Sequence, residues 1–152
     1  MTAKEYLSQL RRLNVVINNK IKELDELRAV SGCVSGIDYA LDKVQVSPKA
    51  GGSFEEVIEK IILLDEYIDE LTDKFINLKI ALNADIEELT NLKYKKVLQM
   101  RYIELLPFDE IAGKMGISER SVYYIHGRAL ASFEKKNEQK LNSCCIAVEY
   151  EI

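Results

Sequence analysis

From residue 3 to residue 27 the apolar positions return at alternating steps of three and four: Ala3, Tyr6, Leu10, Leu13, Ile17, Leu24 and Leu27, with Lys20 as the one interruption. That period predicts an α-helix laying one narrow stripe against a partner, and at 1.5 Å per residue it would run about 40 Å. The pattern then lapses. Residues 31–53 hold four of the seven glycines, Pro48, and serines at 31, 35, 47 and 53, around one short apolar run from 39 to 46. This composition predicts a loose tether with at most a short helix or strand inside it.

A second seam follows and is nearly unbroken. Phe54, Val57, Ile61, Leu64, Ile68, Leu71, Phe75, Leu78, Leu82 and Leu89 keep heptad phase, and only Asp85 breaks it. Ser53 has the side-chain oxygen of an N-cap, with Glu56 completing a capping box. A stripe this narrow needs a partner: the first helix folded back antiparallel, or a second copy of the chain. The first helix is expected to be some nine residues the shorter, and the unmatched length favours either a homo-oligomer joined through residues 54–89 or packing of the second helix against the head.

The period shortens after Thr90 and Asn91. Tyr94, Val97, Leu98 and Tyr102 predict a lead helix; Ile111, Ala112 and Met115 predict a second. Gly116 then falls where the chain must turn sharply, Ile117 plugs the turn, and Ser118 is suited to cap a third helix. Val122, Ile125, Ala129 and Phe133 continue that helix's inward stripe. A helix, a short turn with glycine and a second helix is helix-turn-helix spacing. Opposite the inward stripe, Arg120, Tyr123, Tyr124 and Gly127 stand at i, i+3, i+4 and i+7, with Glu119 and Arg128 at the margins. In a major groove, arginine can fork to guanine or hold a phosphate, tyrosine can meet thymine methyls or phosphates, and Glu119 can accept from cytosine N4. Gly127 marks either a close backbone approach or a tolerated exposed turn.

The predicted fold class is therefore all-α: a long coiled-coil-like helical arm at 1–90, with 31–53 as linker, then a three-helix helix-turn-helix head at 91–136 and a tail at 137–152. The tail ends in CCIAVEYEI, strand-like in composition without a partner strand, and reads as a disordered end or a docking peptide.

Charge sharpens this division. The whole chain has a formal net charge of −4. Residues 54–90 carry three Lys/Arg against eleven Asp/Glu, while residues 91–136 carry nine against five. An acidic rod thus leads into a basic head, and the head is what a phosphate backbone would meet.

The run RY-x4-PFDEIAGKMGIS-x3-VYYIHGRAL resembles region 4 of bacterial sigma factors, the module that reads the promoter −35 element. The shared features are an Arg-Tyr ending the lead helix, an acidic-Glu-Ile-Ala start, a Gly-Ile-Ser turn and an Arg-Ala-Leu near the end of the recognition helix. The resemblance implies base or phosphate contact from Glu119, Arg120, Ser121, Tyr123 and Tyr124. It departs from the family at Pro107, where a Ser or Thr is usual, and at the two tyrosines, which replace basic or amide residues on the reading face. The chain with its coiled arm is also similar to a family of small sigma-like or late-gene transcriptional regulators from phages and prophages of Gram-positive bacteria. The function implied is a sequence-specific transcriptional regulator with double-stranded DNA as partner and RNA polymerase as a further one. The same parts also suit a phage DNA-packaging protein of the small terminase kind, or a helix-turn-helix that docks protein.

Little suggests an enzyme. The single histidine, His126, sits at the edge of the reading face as a group able to bond one phosphate when protonated, and no nucleophilic set, Gly-rich phosphate loop or metal-ligand cluster accompanies it. No catalytic residue, metal or cofactor is expected. Cys33, Cys144 and Cys145 lack metal spacing and read as reduced cytosolic thiols. No apolar stretch approaches the length of a membrane span, so the expected location is the bacterial cytoplasm, with no membrane partner.

Overall fold

A computed structural model describes residues 1–34 and 54–143. Among these the chain is all-α, with no strand. The Ser53 cap, most of the 31–53 linker and the CCIAVEYEI tail lie outside the described residues.

The first two helices are α1, Ala3–Val34, and α2, Phe54–Glu87. With 32 and 34 residues they are nearly equal in length, which corrects the expected nine-residue difference and removes the argument for an oligomer drawn from it. The reason is local: the glycine-bearing segment expected to begin the tether stays helical through Val34.

The chain forms two compact units. One spans Asn14–Lys74. Within it the two helices pair through Ile17, Leu24, Ile68 and Leu71, all buried, and Arg28 Nη2 lies 3.3 Å from Asp65 Oδ1. The arm is thus an intramolecular pair here. The seam covers only part of α2's apolar surface, since Ile58, Ile62, Leu63 and Tyr67 remain exposed.

The other unit joins Met1–Leu13 to the described residues from Phe75 onward. Here Asn91 caps α3, Leu92–Leu98, by accepting from Lys93 N at 2.9 Å. The lead helix does not continue as a regular α-helix. It passes into a π-helical turn, Gln99–Ile103, closed by Glu104 N donating to Gln99 O at 3.0 Å. Leu105 follows at φ 61, a conformation costly for a residue with a Cβ. Arg101 Nη1 braces this corner by donating to Leu106 O at 2.9 Å.

Helix α4 is Phe108–Met115 and α5 is Glu119–Lys136; a short α6, Glu138–Ser143, follows. Gly116 takes φ 65, the left-handed conformation that residues with a Cβ resist, and its N–H returns to α4 by donating to Gly113 O. Ser118 caps α5, its side chain accepting from Ser121 N at 3.3 Å. Val97, Ile111, Ala112 and Val122 are buried together, and Ile117 and Ile125 pack against them.

The expected boundary at residue 90 does not separate two cores. Phe133 and Ala129 of α5, Leu98, Tyr102 and Leu141 share one buried cluster with Ala3, Leu7 and Leu10 of α1, with Leu82 and Ile86 of α2 and with Leu89 just beyond it. Asp85, expected as a defect in the seam, is buried there with both oxygens engaged. Tyr6 Oη donates to it at 2.8 Å and Lys140 Nζ at 2.6 Å. The carboxylate holds the Lys140 ammonium above its ordinary value.

Candidate nucleic-acid interface

α5 owes its position to its buried side. Val122, Ala129 and Phe133 recur at helical spacing and are fully buried, so the opposite side must face outward. On that side Glu119, Arg120, Tyr123, Tyr124, Gly127 and Arg128 are all exposed. Tyr123 and Tyr124 are 54% and 63% accessible, unusually bare for such large rings. Arg120 lies one turn before the two tyrosines and Gly127 one turn after, so four of these positions form a contiguous patch. A Cβ built on Gly127 would meet no atom within 4 Å, so no contact inside the protein requires glycine there.

The two tyrosines are held differently. Tyr123 leans on Phe108 of α4, ring centroids 4.4 Å apart, and the Arg101 guanidinium lies 4.4 Å from the centre of that same Phe108 ring. This Arg101–Phe108–Tyr123 stack fixes one edge of the patch. Phe108 and Arg101 are missing from any reading of α5 alone, because they reach it across the α4 and π-turn junction; the signal in the sequence was their place inside the RY-x4-PFDE run. Tyr124 is steadied within α5, where Arg128 Nη1 donates to its hydroxyl at 2.8 Å.

Ser121 stands apart from the patch. It is half-buried, its Oγ is 2.9 Å from Ser118 Oγ, and its N–H feeds the cap, so its polar groups serve the start of α5.

His126 also departs from expectation. It does not stand at the edge as a free cation: its ring stacks on Tyr102 at 5.7 Å, meets Phe108 edge-on at 5.1 Å, and its Nε2 lies 3.0 Å from Tyr102 Oη. Burial, then the nearby Arg101 and Lys4 charges, push it below its ordinary value and so favour the neutral ring. The same burial pushes the Tyr102 phenol up.

Chemically, the outer face of α5 offers two guanidinium forks, two phenols and one carboxylate on a convex helix, with a bare glycine backbone among them.

A family model described as "Protein of unknown function (DUF1492)" matches residues 33–134, well over half of the chain. The chain belongs to the DUF1492 family. The matched span of this DUF1492 member includes α2 through most of α5, and so the whole patch. The chain is also similar to mitogen-activated protein kinase kinase kinase 1 of Rattus norvegicus, 23% identical over 106 residues. That match covers 70% of this chain but only 7% of the rat protein's length, so the kinase's activity does not carry over. No solved structure matches the chain. Among the described residues no helix is long and apolar enough to cross a membrane.

Proposed function

We propose that this chain is a sequence-specific DNA-binding transcriptional regulator of phage or prophage type, in which α4 and α5 act as a helix-turn-helix and α5 enters the major groove. The observation that carries this reading is the patch on α5: Arg120, Tyr123, Tyr124 and Arg128 stand outward around Gly127, while the side behind them is locked into the core. A recognition helix needs that combination of a rigid seat and an exposed polar face. The bare backbone at Gly127 would allow the helix to approach base edges closely. The resemblance to sigma region 4 supports the same assignment and makes RNA polymerase a further partner of the head. Homo-oligomers would form through the exposed apolar side of α2, which would present two heads to paired half-sites.

A second reading, that α5 docks protein, draws on one observation: two adjacent tyrosines more than half exposed suit a protein interface as well as a groove. The packaging alternative uses the same head on a ring of copies. One experiment separates all three: sequencing of the DNA retained by the full chain from fragmented phage and host genomes, with the mass of the complex measured in parallel. Enrichment of promoter-proximal sites supports the regulator. Enrichment of a single packaging site by a ring of many copies supports the second class, and no retained DNA supports protein docking.

A further inference from the structure

Beside the patch lies a cleft of about 340 Å³ that none of the sequence motifs anticipates. One wall is the start of α1, whose Lys4, Ser8 and Arg11 fall at i, i+4 and i+7 and therefore on one face. The other wall is the head itself. It brings Arg101 and Tyr102 from the π-helical turn, Phe108 from α4, and Tyr123 with His126 from α5. Three of the lining residues are cations and none is a carboxylate. Lys4 and Arg11 are exposed and have no ion-pair partner among the described residues, whereas Arg101 is already fixed over Phe108 and against Leu106 O. Three unneutralised charges around one concavity repel one another, and an anion seated between them relieves that repulsion.

Size and position identify the anion. The volume lies at the low end of the range of about 300 to 1,000 Å³ in which small ligands bind, enough for a phosphate and its sugar. Tyr123 belongs both to the cleft and to the outer patch of α5, so the two surfaces are continuous. A helix lying in a major groove about 12 Å wide is flanked by sugar-phosphate backbone, which on the Tyr123 side must run over this cleft. Lys and Arg with a serine hydroxyl are the groups that take such phosphates.

We propose that the cleft is a phosphodiester-binding site in which Lys4 and Arg11 of α1 hold the backbone of the duplex that α5 reads. The inference rests on the reading of α5 as a groove-binding helix and adds α1 to the interface. Arg101 acts in it mainly as a positioning residue, since its guanidinium is committed to Phe108 and Leu106 and through them to Tyr123.

His126 is the chain's only histidine and lines the cleft, so its imidazole proton resonance reports occupancy without assignment. The groups that share the cleft with it are Lys4, Ser8 and Arg11 from α1, Arg101 and Tyr102 from the π-helical turn, and Phe108 and Tyr123, of which Arg101 and Lys4 act on its charge. A phosphate among them adds negative charge and must raise its pKa. The experiment follows that resonance through a pH titration of the full chain, alone, with a random-sequence duplex, and with a nucleoside monophosphate. Fluorescence anisotropy over a range of salt runs in parallel. The expected result is an upward shift of the His126 midpoint by duplex. The Lys4→Ala/Arg11→Ala chain, of unchanged helicity, should lose that shift, with the slope of log affinity against log salt reduced by about one per cation removed. Duplex that binds by anisotropy yet leaves His126 and the double variant's salt slope unmoved overturns the cleft while the α5 reading stands. A shift by monophosphate alone assigns the cleft to a free nucleotide and overturns the DNA-backbone assignment. No duplex binding at any salt overturns both.

Discussion

Tyr102 and His126 are stacked at 5.7 Å, with the phenol oxygen 3.0 Å from the imidazole Nε2, joining the π-helical turn to α5 from beneath the exposed patch. The pair fixes α5 in rotation about its own axis, because a turned helix would lose both the stack and the hydrogen bond.

That contact makes stability depend on pH with a definite sign. His126 is pushed below its ordinary value chiefly by burial, so the unfolded chain binds its proton more readily than the folded one. The stabilisation is complete above the unfolded value of about 6.5 and is lost as pH falls from there toward the lowered folded value. Glu5, held down chiefly by its hydrogen bonds with Thr2, and Glu87, held down by Lys95 and Gln99, act only near and below 4.5. Thermal unfolding of the wild type should therefore move to lower temperature between pH 7.5 and pH 5.5, and His126→Gln should flatten that dependence. Equal slopes in the two proteins would mean that His126 does not set the pH dependence.

The shared core gives a second expectation. A fragment of residues 91–136 lacks Ala3, Leu7, Leu10, Leu82, Ile86 and Leu89, which bury Phe133 and Tyr102 from outside it. Each large apolar side chain so exposed forfeits about 1.5 to 3 kcal/mol, comparable in sum to the whole stability of a small domain. Circular dichroism and urea titration should find the fragment without a cooperative transition, whereas the full chain has one. A fragment that unfolds cooperatively would mean that residues 91–136 hold a sufficient core of their own.

Two glycines separate backbone need from surface need. Gly116→Ala places a Cβ at φ 65 and should cost about 1 to 2 kcal/mol, with Gly116→Asn costing less. Gly127→Ala meets open space in mid-helix and should gain up to about 1 kcal/mol. If α5 approaches bases closely, the same Gly127→Ala change should weaken DNA binding while the protein becomes more stable. A stabilised variant with unchanged affinity would mean that no ligand reaches the backbone there.

What could be read in advance follows the range of the interactions. Gly116, Ser118, Asn91 and the stripe through Val122, Ala129 and Phe133 were legible because caps, turns and periodicity act within a few residues. The π-helical turn was not, since Gln99 to Ile103 continue an unremarkable helical pattern, and the contacts that accompany the turn, such as Tyr102 on His126, are tertiary. Asp85 looked like a flaw because its partners, Tyr6 and Lys140, are 79 and 55 residues away. The patch on α5 was visible as a face, but Arg101, Phe108 and the α1 cations beside it depend on the tertiary fold.

The oligomer expectation moves to different residues of the same helix. Ile68 and Leu71 are buried within the pair, so charges placed there should unfold it. Ile62 and Leu63 are 53% and 58% exposed and form an apolar strip among Glu55, Glu59 and Glu66. Wild type should associate at micromolar concentration by light scattering, and Ile62→Glu/Leu63→Glu should be monomeric with helicity retained. A monomeric wild type would leave α2 without a self-association role.

Whether the outer face of α5 reads base sequence is decided by anisotropy titration of wild type, Arg120→Ala and Tyr124→Ala. The duplex set comprises the site recovered from genomic fragments and random DNA of equal length. Each variant should lose about 1 to 3 kcal/mol on the recovered site, with weak binding to random DNA nearly unchanged. Equal losses on both duplexes would reduce these residues to phosphate contacts, and a wild type that binds no duplex at low salt would mean that α5 is not a DNA-reading helix.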